Sequence, residues 1–150
     1  MSRNNYGTLL GKLGRLDEAE ASGEASLALK ESMGDALGSV ITLKNLGDLH
    51  LMRDAPDAAL ERYLPALRTA LDLGAVPRLI QVLVGCGDVL ARLGAPTLAA
   101  DALAAVVGHP AAPASLVERA RTVAAAAGLA YAPHADVERA ARTILERSSD

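Results

Sequence analysis

Asn4–Ala21 reads NNYGTLLGKLGRLDEAEA, Lys44–Glu61 reads KNLGDLHLMRDAPDAALE and Val84–Asp101 reads VGCGDVLARLGAPTLAAD, three copies of one unit. Gly7, Gly47 and Gly87 fall forty residues apart. The same register aligns Leu9, Leu49 and Val89, then Ala19, Ala59 and Ala99, then Leu27, Leu67 and Val107. Gly34 and Gly74 keep it as well. A fixed period of this size marks a stacked array of helix pairs, a scaffold in which each unit buries its apolar face against the next.

Composition agrees with helices. About half of the 150 residues are apolar, enough for a continuous core, yet there is no Trp, no Phe and only three Tyr. A core filled by Ala, Leu and Val suits closely approaching helices and is poor material for sheets. The net charge of −3, with basic residues scattered among acids, argues against direct nucleic-acid binding, which needs clustered Lys and Arg. A lone Cys86 leaves no internal disulfide, no charged leader opens the chain, and the apolar runs are too short to span a membrane. A cytoplasmic protein is expected.

Between the Gly and Pro breakers, apolar residues recur at three and four. This predicts amphipathic helices over roughly 3–13, 17–33, 36–53, 56–73, 77–93, 96–108, 114–128 and 135–147. Eight helices make four antiparallel pairs. Gly34 and Gly74 are placed to close the second helix of a pair, and Pro56, Pro77 and Pro96 to open helices. Asp17, Asp57 and Thr97 put an oxygen-bearing side chain at the start of each second helix. The repeated first-helix glycine is costly inside a helix, by about 1 kcal/mol relative to Ala, so close approach of another backbone is expected there. Ala19, Ala59 and Ala99 supply the small contact opposite.

These residues carry a family likeness. The pattern resembles tetratricopeptide repeats, whose first helix carries Leu-Gly and whose second carries a small residue twelve positions later. Leu46-Gly47 with Ala59 fits closely; Tyr6-Gly7 with Ala19 and Cys86-Gly87 with Ala99 fit with a substituted first residue. The forty-residue spacing resembles the long-helix branch found in peptide-gripping scaffolds and in the tails of bacterial regulators. The likeness implies an all-α, right-handed superhelical solenoid, with repeats at about 1–34, 35–74 and 75–109 and a capping helix pair at about 114–147. The segment VVGHPAAPASLVERARTVAAAAGL, residues 106–129, resembles the terminal helices of bacterial regulators that join a signalling ATPase or activator domain to a repeat tail. By the forty-residue register the first helix begins about four residues before Met1, so the chain is expected to open inside a helix.

The likeness also implies a site. In the family the first helix of each pair lines a concave groove. Carried over, that groove takes Asn4, Thr8 and Lys12 from repeat one. Repeat two contributes Ile41, Lys44, Asp48, Leu51 and Met52, and repeat three Gln81, Val84, Asp88, Ala91 and Arg92. Asn5 and Asn45 fall where peptide-gripping relatives pair an asparagine with the ligand backbone, an amide being both donor and acceptor. The alternative for both is an asparagine tying down an adjacent helix. A carboxylate clamp of the chaperone-adaptor type is not expected, because only Asn45 fits its array and Asp48 and Asp88 would repel a carboxylate.

Catalytic and metal readings find little support. His50, His109 and His134 lack ligand spacing, and His50 holds the packing position of Leu10 and Leu90. Gly7–Leu13 has three residues between its glycines and a leucine after the lysine, against a phosphate loop. Cys86 aligns with Tyr6 and Leu46 on the packed side, where a thiol is inert. Glu118-Arg119 and Glu138-Arg139 read as solvated charges. No enzyme activity and no cofactor are expected. The expected function is a protein- or peptide-binding scaffold, the sensing or partner-docking part of a bacterial regulator. The alternative is a homo-oligomerisation module, a homodimer through the uncapped first helix, motivated by a mean hydropathy above zero.

Overall fold

A computed structural model describes residues 3–149, with side chains from residue 14 onward. It is all helix among the described residues: α1 Arg3–Ser32, α2 Ala36–Met52, α3 Pro56–Leu73, α4 Val76–Arg92, α5 Pro96–Gly108, α6 Ala114–Ala126 and α7 Val137–Ser148. Consecutive helices pack from α1 through α6, and α2 also meets α4, and α4 meets α6, as in a tetratricopeptide-like solenoid.

Local chemistry sets the boundaries. Asp35 caps α2, its carboxylate accepting from the Gly38 N–H at 2.9 Å. Pro56 and Pro96 open α3 and α5, and each proline ring holds the preceding Ala55 or Ala95 out of the helical region, at φ −115° and −112°. Gly34 and Gly74 close α1 and α3 in the left-handed conformation, as expected. Asp57 and Thr97 lie in the first turn without capping it, since α3 and α5 have no side-chain cap.

The first pair departs from expectation. Helices over 3–13 and 17–33 are replaced by the single helix α1. The register explains why: Gly14 aligns with Asp54 and Gly94, which make the turns at φ 56° and 78°, but Leu16 stands where Pro56 and Pro96 stand. Without that proline nothing excludes residue 15 from the helix, and Arg and Leu are good helix formers. Asp17 therefore lies inside a helix. Ala19 is exposed, whereas Ala59 and Ala99 are fully buried.

In the other pairs the repeated glycines accommodate side chains, not the backbone expected from sequence. A Cβ on Gly47 would lie 2.5 Å from the Tyr63 ring, and one on Gly87 2.5 Å from Leu103. Close backbone approach occurs instead at Gly108, where a Cβ would collide with the backbone of His134. That contact pins the extended segment between α6 and α7. Two helices follow α5 where a capping pair is expected, but they pack on earlier elements and not on each other: α6 on α4 and α5, α7 on α3, α4 and α5. Arg139, expected to be a solvated charge, joins α7 to Asp101 of α5 at 3.1 Å.

Candidate functional site

α2 packs on α4 and α4 on α6, the row of helices on which the inner face is expected, and two grooves open beside them. The larger, of about 510 Å³, lies between α1 and α2. Ala19, Ser22, Gly23, Ser26 and Lys30 form one wall, and Ile41, Asn45, Asp48, Leu49 and Met52 the other. The second, of about 390 Å³, is lined by Asp88, Ala91 and Arg92 of α4 and by Thr122, Val123 and Ala126 of α6.

The expected site residues divide between these places. Ile41, Asn45, Asp48 and Met52 share the first groove, Met52 being 70% exposed. Asp88, Ala91 and Arg92 share the second. Leu51 and Val84 are corrections: both are in the core, because Leu51 lies one turn beyond Gly47, and Val84 one turn before Gly87, on the packed face. Gln81 is half-buried and accepts from the Arg78 guanidinium at 3.1 Å. The side chains of Asn4, Asn5, Thr8 and Lys12 lie outside the described residues.

Electrostatically the face is largely self-paired. Lys44 meets Asp48 at 2.7 Å, one turn apart. Asp48 also accepts the hydrogen bond of the Tyr63 hydroxyl. Arg92 donates to Asp88 at 2.8 Å and to Asp54 at 3.2 Å, which holds its guanidinium firmly charged. Asn45 differs: it is exposed, and its amide makes no hydrogen bond among the described residues. Its position owes something to packing, because Asn45 aligns with Gly85 as Gly23 aligns with Tyr63. Gly85 makes room for the Tyr63 ring, whereas Gly23, in the place of Tyr63, has no ring to accommodate and lies against Leu46.

Other candidates resolve into structure. Cys86 is buried, and burial pushes its thiol up to about 12, far from a reactive thiolate. His50 is mostly buried and faces Glu20 at 3.7 Å. His134 accepts from the Asp136 N–H through Nδ1, which leaves Nε2 to donate to Asp101 at 2.9 Å. Among the described residues no three His, Cys, Asp or Glu side chains converge on a metal position, and no helix is long and apolar enough to cross a membrane. Sequence reasoning missed the α1 wall, Ser22, Gly23 and Ser26, and the α6 wall, because it assigned the groove to first helices of repeats alone. The wall was legible in principle, since Ser22, Gly23 and Ser26 follow Ala19 at helical spacing.

Residues 1–72 match the tetratricopeptide repeat family. The match spans α1, α2 and nearly all of α3, and α4 and α5 continue the same forty-residue register. It supports a tetratricopeptide-repeat assignment, and such repeats generally mediate protein–protein interaction. Neither the curated proteins nor the solved structures gave a match.

Proposed function

We propose that this chain is a protein-interaction scaffold that holds a peptide or partner segment against the inner face of α2, α4 and α6. Asn45 carries the reading: an exposed amide with no hydrogen-bond partner among the described residues, flanked by Ile41 and the exposed Met52. An amide so placed can pair with both N–H and C=O of an extended backbone, while Ile41, Leu49 and Met52 supply apolar contact. Lys44, Asp48, Gln81, Asp88 and Arg92 add selectivity, by exchanging their internal pairs for ligand groups. The resemblance of residues 106–129 to regulator tails supports a place in a bacterial regulatory assembly, as its partner-docking part.

The test compares two double variants. Lys44→Ala with Asn45→Ala removes a backbone-directed hydrogen bond and a charge, each worth about 1–3 kcal/mol where desolvated, so a captured peptide should bind at least tenfold more weakly. Glu61→Ala with Arg68→Ala, both exposed on α3, should leave affinity unchanged. The melting temperature should stay within a few degrees in both. Titration calorimetry against peptides selected on the full chain reads the difference. Loss of binding in the α3 pair alone would move the site off the inner face.

A further inference from the structure

The groove between α1 and α2 has the form of a seat for a missing helix. Each first helix of a repeat packs against its own second helix and against the next first helix: α2 against α3 and α4, α4 against α5 and α6. The equivalent place for the first repeat lies between α1 and α2, and it is open. Its walls show the vacancy: Ala19 is exposed where its counterparts Ala59 and Ala99 are fully buried.

The sequence names the helix that belongs there. Residues 3–13 carry Tyr6-Gly7 and Leu9 in register with Leu46-Gly47 and Leu49 of α2. In the formed pairs Gly47 lies against Tyr63 and Gly87 against Leu103, each sixteen residues apart. Gly7 and Gly23 have the same separation. α1 runs unbroken through Gly14–Leu16, however, where the other pairs turn at Asp54 and Gly94, so the chain makes no turn back toward its own groove there.

We infer that the seat is filled by residues 3–13 of a second copy of this chain, in a twofold exchange of first helices. A second copy is the occupant favoured over an unrelated protein because the seat and the segment fit by the repeat's own register. One exchange also covers both, and it closes without leaving either groove open. Leu16 in place of a proline is the cause, since it turns the expected hinge into helix. The exchange completes the first repeat with a helix of the partner copy. It does not depend on whether the inner face holds a further ligand.

Two measurements test it without any ligand. Light scattering of the full chain over a hundredfold concentration range should give a dimer. Arg15→Ala with Leu16→Pro, which installs the Gly-Ala-Pro order of residues 94–96, should give a monomer by restoring the turn. Separately tagged copies, one carrying Gly7→Cys and the other Gly23→Cys, are unfolded together, refolded and oxidised, beside a single copy carrying both substitutions. A disulfide between the two different copies is expected, Cys86 being buried. If the chain is a monomer and the disulfide forms only when both cysteines lie on one copy, the helix folds back in cis and the exchange is wrong. A dimer with no disulfide between copies places the interface elsewhere and overturns it equally. Should the proline variant fail to fold, the disulfide experiment decides alone.

Discussion

Tyr63 shows how one residue fixes a repeat. Its ring lies between Gly47 of α2 and Gly85 of α4, where an added Cβ would come within 2.5 and 2.6 Å of it, so a single side chain spaces two first helices. Burial, and then the Asp48 carboxylate beside it, pushes the phenol well above its ordinary value, so the hydroxyl stays a donor at any pH the fold survives. Tyr63→Phe should therefore cost about 1.5–3 kcal/mol, the worth of a hydrogen bond to a charged group, without disturbing the spacing. Gly47→Leu should cost more, roughly 3 kcal/mol, because the ring has nowhere to move between two helices. Denaturant midpoints at neutral pH measure both. A Tyr63→Phe loss below about 0.5 kcal/mol would show that the hydroxyl contributes nothing beyond the ring. The importance of Gly47 was legible from its repetition, but the ring that needs it was not. Position 63 aligns with Gly23 and Leu103, so each repeat solves the same contact with a different side chain and periodicity averages the solution away.

Among the elements, α1 is held differently from the rest. Leu27 is its buried large side chain among the described residues, and its docking relies on ion pairs: Arg53 with Asp17 and Glu20, Arg62 with Glu24, and the Lys30 ammonium donating to Thr42 at 2.8 Å. The Arg53 hydrogen bond, reinforced by the charges of Arg53, His50 and Arg62 and opposed by burial, holds the Glu20 carboxyl below its usual value. A depressed carboxyl stabilises the docked helix above its unfolded pKa, and that contribution is lost as pH falls through the folded value. Protection factors over residues 17–32 should thus fall below about pH 4, ahead of those in α4 and α5, and molar salt should produce part of the same effect at pH 7. Protection of α1 that tracks α4 at every pH would show the ion pairs to be incidental. The helices themselves were readable wherever a proline or a glycine punctuated the pattern, and α2 to α5 end within a residue or so of expectation. The break expected between residues 13 and 17 is absent, although Gly14 lies there. A turn there needs the following residue to forbid helix, and leucine does not.

At the scale of the molecule, α7 changes what kind of array this is. A solenoid couples each repeat only to its neighbours, but α7 lies across α3, α4 and α5, bridging two repeats from one side. Its buried face is Val137, Ala140, Ala141, Ile144 and Leu145. The approach of the His134 backbone to Gly108 and the contacts of Asp101 with His134 and Arg139 fix its angle. A terminal apolar helix was legible from Val137, Ile144 and Leu145. Its destination was not, because it depends on a ten-residue segment without periodicity and on one glycine outside the repeat register. Two variants separate clasp from appendage. Ile144→Ala should cost about 2–5 kcal/mol, and Gly108→Ala about 1–3 kcal/mol, because the obstructing atoms are backbone and cannot rotate aside. If α7 is a clasp, both losses appear as lowered hydrogen-exchange protection in α3, α4 and α5 together, within one cooperative transition. Protection lost only within α7 itself would return the chain to a nearest-neighbour array whose last helix merely docks. The distinction bears on binding, because a clasped α3–α5 block presents α4 as a rigid strip of the inner face and leaves the α1 and α2 end as the part that can rearrange.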